Sequence, residues 1–532
     1  MQKCENEKMI MAKHYLEVLS DAIRDNWDEI ALADYRTLTR YTYGDMADNM
    51  ADLAAIYDSL KLKKGVHIAI CGNNCANWAI AYLATAVWGG VNVCVMPDFA
   101  AEDIARIINH SNAEVLIASE QVRKKLEGME LPKIKHNFAM ETLLPIGESV
   151  EIPEIHLKKE DINYGGRSID DVVMLCYTSG STGTPKGVML SFRSLSNNIR
   201  NVTENLPEHD RQNVLSMLPL AHMYGLVCEL LGQLPAGCHI WFLGSTPTPA
   251  TLSKALLEIR PYTIVTIPLV VEKIVKKNIF PVIQKKNVKL FWNMPVIGRM
   301  FKNMVRRRML QSMGGNIRQF HVGGAALNEE VEKLLMDIRF PITVGYGLTE
   351  TGPLVSGNLW QNFKARSGGK LVSGMQAKIV DEEIWVKGEN VMLGYYNEPE
   401  LTKQVLTEDG WFRTGDVGEI GEDGTIYVQG HKSNLIVQAD GNKVYPENIE
   451  AILNEIDGID ESLVTVWNNQ LVALVVTQLE LNVNNIREKI NAALPAYSRI
   501  TKIETRTDPF ERTPKHSIKR YLYRDTPAAD KQ

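Results

Sequence analysis

The sequence predicts an α/β protein: a large N-terminal domain of mixed and parallel sheets layered with helices, then a small α+β C-terminal domain. Three observations carry this. Apolar runs of strand length alternate with helical patterns from Val66 onward. At 532 residues the chain exceeds one typical domain. After Gly430 the pattern changes to short strands, a hairpin and two helices. The expected boundaries are therefore 1–429 and 430–532.

The elements follow in order. Met9 to Ile30 carries an amphipathic helical pattern, and Ala31 to Leu60 a Thr-Arg-Tyr-Thr-Tyr segment and a second helix. Val66–Cys71 reads as a strand, Ala76–Trp88 as a helix, Val91–Val95 as a strand, Ala101–Asn109 as a helix and Glu114–Ala118 as a strand. Such alternation implies parallel pairing through right-handed crossovers. Trp78 to Met96 is uncharged and long enough to cross a bilayer. Gly89-Gly90 splits it into an Ala-rich helical part and a β-branched part, so a buried helix and strand are expected instead. Residues 125–168 are polar and poorly patterned, as in a connecting excursion. Beyond the boundary, a helix from Glu447, a hairpin at Asn468-Asn469, a helix over Asn485–Leu494 and a strand from Ile500 are expected.

Hydrophobic and charged contents of 45% and 23% describe an ordinary globular protein. A net charge of −6 gives no footprint for nucleic acid. Seven cysteines without a Cys-x-x-Cys pair, and no leader with a cleavage site, point to reduced thiols and a cytoplasmic location.

Chemistry concentrates in Tyr177-Thr178-Ser179-Gly180-Ser181-Thr182-Gly183-Thr184-Pro185-Lys186-Gly187-Val188. An apolar run, Asp171–Tyr177, precedes it, and Met189–Asn198 can start a helix, giving strand, loop, helix. Three glycines let backbone N–H groups approach an anion, and five hydroxyls and Lys186 can donate to phosphate oxygens. Lys186 follows proline, so this is not a Walker loop. A Ser/Gly/Thr linker is the alternative, and the ordered strand with one placed lysine argues against it.

Further motifs follow. Leu218–Gly225 contains His222, which can hydrogen-bond a carboxylate; a lone histidine is otherwise structural. Phe320–Leu327 contains Gly323, Gly324 and Ala325, small enough for a planar base to approach. Then come Val344-Gly345-Tyr346-Gly347-Leu348-Thr349-Glu350-Thr351-Gly352-Pro353, Glu383–Gly388, Gly394-Tyr395-Tyr396, Trp411–Asp416 and Gly430-His431-Lys432-Ser433.

In this order, over most of the chain, these motifs resemble the adenylate-forming (AMP-binding) superfamily, most of all long-chain fatty acyl-CoA synthetases. The resemblance implies that Thr178, Ser179, Gly180, Ser181, Thr182, Gly183, Thr184 and Lys186 hold the phosphates of ATP. Adenine would lie against Gly323, Gly324 and Ala325 and stack on Tyr346 beside Gly347. Thr349 would hold the α-phosphate, and Glu350, with Thr178, would ligate Mg²⁺, a hard cation suited to a carboxylate and phosphates. Asp416 would accept from both ribose hydroxyls. His222 would lie near the carboxylate to be activated; amino-acid-activating relatives often carry Asp near there, so histidine argues against an amino acid. Residues 430–532 would form a mobile lid whose loop with Gly441 and Tyr445-Pro446 helps shape a pantetheine channel.

Two departures stand out. His431 occupies the place of an expected arginine, with Ser433 at the usual hinge. Ser517 falls where a catalytic lysine is expected, and Lys515 is preferred over Lys519 as its replacement. The implied activity is ATP-dependent conversion of a medium- or long-chain fatty acid, through acyl-AMP, to acyl-CoA, with ATP, Mg²⁺ and coenzyme A. The alternatives are an acyl-adenylate ligase feeding a carrier-protein pantetheine and a non-catalytic nucleotide- or acyl-binding homologue. Residues 273–308 are basic and interleaved with aromatics. They read either as a solvated helical face or as a peripheral surface for anionic lipid or CoA phosphates.

Overall fold

The computed structural model describes residues 13–150, 155–179, 185–205, 211–244, 248–283, 292, 294–324, 327–438, 443–468, 470–512 and 518–524. Among these, three large sheets and two smaller C-terminal ones organise the chain. The first sheet runs Ile342–Val344, Gln319–Val322, Thr263–Thr266, Asn213–Ser216, His239–Phe242, Ile30–Asp34 and Arg40–Thr42, parallel except for the last pair. The second has Val172–Ser179, Val91–Val95, His67–Cys71, Val115–Ala118 and His136–Ala139 in parallel, with antiparallel strands at both edges. The third is antiparallel and joins Tyr346–Gly347 through Leu354–Gly357, Gly369–Leu371, Thr425–His431, Phe412–Ile420 and Glu383–Gly388 to Met375–Val380.

One hydrophobic core draws on all three sheets. The uncharged stretch is buried: the helix Ala76–Trp88 packs in this core, while Val91, Val93 and Val95 of the strand Val91–Val95 face a neighbouring cluster. Gly89, at φ 104°, stops the helix in a left-handed conformation that an L side chain resists. Trp78 stacks on Tyr82 at 5.8 Å, and burying each such side chain is worth about 1.5–3 kcal/mol. Among the described residues no helix is long and apolar enough to cross a membrane.

Two expectations are corrected. The phosphate segment is not a strand–loop–helix turn. Its described flanks form an antiparallel pair, Val172–Ser179 with Pro185–Ser191, and the helix starts only at Phe192. Val188 and Leu190 point into the core, and Gly394–Tyr395 pairs along the free edge, so the ladder satisfies the backbone that a helix would have used. The excursion 125–168 also contributes the strand His136–Ala139; only Phe138 in it is fully buried, too weak a pattern to detect.

Beyond Gly430, Glu461–Trp467 and Gln470–Val476 form the hairpin, and Lys502–Arg506 adds in parallel. The helices are Pro446–Leu453 and Val483–Ala493. Two clusters there, around Val464 and Trp467, contain no described residue from before Ile436. Arg520 forms a bidentate pair with the buried Glu450, tying the C-terminal tail to the first of these helices.

Candidate active site

Of the residues singled out by sequence, Gly180, Ser181, Thr182, Gly183, Thr184, Ala325, Gly441, Lys515 and Ser517 lie outside the described residues. The remainder lie in three places. On the hairpin, Thr178 and Lys186 are register partners, and Ser179 pairs with Pro185 to close the described ladder. Lys186 Nζ lies 5.5 Å from the Tyr395 ring centre. The Tyr395 Oη donates to Glu350 Oε1 at 2.9 Å, and the Glu350 carbonyl accepts from Met392 at 2.8 Å. A lysine and a held carboxylate thus flank one tyrosine. Among the described residues no group of three His, Cys, Asp or Glu could cage a metal. The donor set suits Mg²⁺, which takes one or two carboxylates and completes its shell with phosphate oxygens and water.

The second place is the third sheet. Tyr346 Oη donates to Asp416 Oδ2 at 2.7 Å, and Asp416 is the register partner of His431. Burial pushes the Asp416 carboxyl up, the Tyr346 hydrogen bond and His431 oppose this, and Glu350 and Glu383 reinforce it. Burial also pushes the Tyr346 phenol up, so it stays a donor. Glu383 fixes the neighbouring backbone: it accepts from Gly415 N–H at 2.9 Å and pairs with Lys432 Nζ at 2.9 Å. His431 Nδ1 accepts the Ser433 N–H at 3.2 Å, so the ring's donor is Nε2, the nitrogen beside Gly415. Gly347 is needed for close approach, since a Cβ there would sit 1.8 Å from the Pro353 carbonyl oxygen.

The third place is the turn carrying His222. Its Nδ1 accepts the Tyr224 N–H at 3.2 Å. Asn74 grips the Leu218 carbonyl and the Leu220 N–H, and buried Glu229 accepts from the Met217 and Leu218 N–H groups and from Ser216 Oγ. The Tyr224 ring packs against Gly323, and Gly324 follows at φ 86°. Behind them lies a cavity of about 80 Å³ whose walls include Val202, Tyr224, Cys228, His321, Leu354 and Val372. Among the described residues no Lys, Arg, Asp or Glu lines it. Burial lowers His321 to about 4 and raises the Tyr224 and Cys228 groups, so its titratable walls are neutral near pH 7.

Sequence reasoning missed what holds these pieces together. Ser194, Asn197, Asn198 and Asn201 form one buried face of the helix Phe192–Asn205. Asn198 Oδ1 accepts the Leu354 N–H at 2.8 Å and its Nδ2 donates to the Thr351 carbonyl at 3.1 Å. Asn390 bridges Asn197 and the Leu354 carbonyl. This network holds Thr351 and Leu354, just after Thr349 and Glu350 in the chain. The available signal was the spacing of three, four and seven among four small polar residues. Lys519, the second lysine considered for the lid, lies 3.7 Å from Glu511.

The profile of the family described as AMP-binding enzyme matches residues 19–396. A long-chain-fatty-acid–CoA ligase of Rattus norvegicus, ACSBG1, is 25% identical over 513 residues, covering 87% of this chain and 68% of the relative. The 4-coumarate–CoA ligase 3 of Oryza sativa subsp. japonica is 27% identical over 524 residues, covering 92% and 88%. Among solved structures, o-succinylbenzoate CoA synthetase from Bacillus subtilis, in complex with its acyl-adenylate intermediate, superposes with a TM-score of 0.79 at 20% identity, covering 96% and 98%.

Proposed function

The chain belongs to the AMP-binding enzyme family of ATP-dependent adenylate-forming CoA ligases, and from that premise we propose that it activates a medium- or long-chain fatty acid and transfers it to coenzyme A. The observation that supports an uncharged tail is the cavity beside Tyr224 and Gly345, apolar over much of its wall and, among the described residues, without a charged side chain; the choice of a fatty acid rests on the likeness to the long-chain-fatty-acid–CoA ligase ACSBG1. A second carboxylate or an ammonium buried there would lack a counter-charge, at a cost of several kcal/mol. A monocarboxylate with an uncharged tail meets no such penalty.

In this reading residues 1–429 bind ATP and the acid, and residues 430–532 act as the lid. Asp416 accepts from the ribose hydroxyls, with Tyr346 holding its carboxylate in place. Thr178, Ser179, Gly180, Ser181, Thr182, Gly183, Thr184 and Lys186 take the phosphates, and Gly323, Gly324 and Ala325 border the base. Bound Mg²⁺, held by Glu350 and Thr178, would supply charge neutralisation at the phosphates. His222 orients the acid, one carboxylate oxygen attacks the α-phosphorus, and pyrophosphate leaves. Lys186, Thr349 and Lys515 stabilise the charge that develops, so catalysis is mainly positioning and electrostatics. The CoA thiol then attacks the acyl carbonyl and AMP departs. Residues 273–308 supply a peripheral membrane contact.

The experiment supplies ATP, Mg²⁺ and a panel of carboxylates, with and without CoA, and measures pyrophosphate and thioester separately. Fatty acids should give both products when CoA is present. Pyrophosphate without thioester would assign the acyl group to a carrier-protein pantetheine. Neither product across the panel would make the chain a non-catalytic binder, and preference for 4-coumarate over fatty acids would overturn the substrate class.

A further inference from the structure

The helix Ile297–Ser312 has two apolar faces. Gly298, Val305 and Met309 turn inward and are buried. On the opposite side, at helical spacing, Val296, Ile297, Met300 and Met304 face outward, with Val296 and Met300 70% and 69% exposed. A helix on a globular surface normally buries one stripe and wets the other. Here the outer stripe is rimmed by cations. Arg307 and Arg308 flank it, exposed, and on one side a cavity of about 540 Å³ is lined by Arg299, Lys302, Arg306 and Arg339. Lys302 is partly neutralised by Asp337 at 3.7 Å. Among the described residues no carboxylate pairs with Arg299, Arg306 or Arg339, and the Arg306 guanidinium reaches only the Arg339 carbonyl, at 3.5 Å. The surrounding sequence agrees: residues 273–308 hold eleven Lys and Arg and no Asp or Glu, in a chain of net charge −6.

An exposed apolar stripe beside a cavity lined by four cations and one carboxylate, Asp337, matches one kind of surface, a bilayer carrying anionic phospholipid. Methionine, valine and isoleucine enter the acyl boundary, and arginine forks take lipid phosphate. A soluble polyanion would use the cations and leave the stripe in water. A second copy of the chain would bring the same positive charge against itself.

We infer that the outer face of the helix Ile297–Ser312 is a membrane-docking surface, with Val296, Ile297, Met300 and Met304 inserting and Arg299, Lys302, Arg306 and Arg339 receiving the phosphate of an anionic phospholipid. It goes beyond the contact proposed for residues 273–308 by naming the helix face and the headgroup cavity, and it does not depend on the adenylation reading.

The test is sedimentation of the full chain with vesicles of phosphatidylcholine alone and of phosphatidylcholine containing phosphatidylglycerol. The parent should pellet with the second, and raised salt should weaken this. Two variants separate the contributions, each checked for an unchanged thermal melt. R299A/R306A should lower partitioning to anionic vesicles by about tenfold or more, at roughly 1 kcal/mol per basic residue near the surface. Met300→Glu should lower it with the cations intact. Equal partitioning of all three proteins would overturn the proposal. So would failure of the parent to pellet while CoA or inorganic phosphate protects Arg299 and Arg306 from modification, which would make the cavity a soluble-phosphate site. A change of oligomeric state in Met300→Glu, without a change in vesicle binding, would assign the stripe to self-association and overturn it as well.

Discussion

Asp416 and His431 stand opposite each other as register partners in two antiparallel strands, and Tyr346 donates to the Asp416 carboxylate from a third strand at 2.7 Å. In the resemblance an arginine would stand at position 431. The imidazole here has its Nδ1 occupied by the Ser433 N–H, so its Nε2–H is the available donor. Asp416→Ala should therefore lower kcat/KM for ATP by about 10²-fold, as expected for losing two hydroxyl hydrogen bonds to a charged acceptor. His431→Ala should do less, and His431→Arg should keep activity. Pyrophosphate release against ATP concentration checks the series; a parental KM for ATP in Asp416→Asn would remove the ribose role.

Asn198 holds the loop that presents Thr349 and Glu350. It accepts from Leu354 and donates to Thr351, both from a position on the helix that is fully buried. Asn198→Leu keeps the volume and abandons a buried N–H and a buried carbonyl, at about 1–3 kcal/mol for each group left unpaired. The melting temperature should fall, and kcat should fall with it because the loop loosens. Urea unfolding together with single-turnover pyrophosphate release reads both. A stability loss with unchanged turnover would confine Asn198 to a structural role.

Burial raises the Glu229 carboxyl from its ordinary 4.5 to about 8, against the hydrogen bonds from Ser216, Met217 and Leu218. Between those two values the folded chain keeps a proton that the unfolded chain has released. The stabilising contribution is thus fully present below about pH 4.5 and is lost as pH rises through about 8, at up to about 1.4 kcal/mol per pH unit. Glu229→Gln should flatten that decline. Denaturation midpoints from about pH 5 to about pH 8 measure it, and parallel curves for parent and variant would exclude Glu229 as the source.

What the sequence made legible depended on the kind of signal each residue carries. Val91–Val95 has five consecutive buried residues, and an uncharged run with valine at every second position between glycines and proline admits little else. Tyr346, Glu350 and Asp416 could be singled out because each sits in a compact motif. Their meeting could not be read, since Tyr346 and Asp416 are 70 residues apart and only strand order joins them. Asn198 and Glu229 were invisible for the opposite reason. A polar side chain on a helix is expected in solvent, and nothing local marks one that is buried to satisfy a distant backbone. The hairpin was misread as a turn into a helix because Met189–Asn198 has helical composition, while its first three residues are claimed by the ladder from Val172–Ser179.

The last prediction concerns the lid lysine. Two cations lie within reach of position 517 in sequence, and they differ in what already engages them. Lys519 is described, 3.7 Å from Glu511, and its N–H donates to the Glu511 carbonyl. It lies next to Arg520, whose buried partner Glu450 fixes the tail to the helix Pro446–Leu453. A lysine so placed serves the anchoring of the tail. Lys515 is then the candidate for holding the attacking carboxylate against the α-phosphorus, and Lys515→Ala should slow pyrophosphate release by about 10²–10³ with little change in ATP binding. Lys519→Ala should leave turnover near the parent and make the tail easier to cleave by protease. Rapid-mix pyrophosphate measurements on the two variants decide the matter, and the reverse ranking of their rates would move the catalytic charge to Lys519.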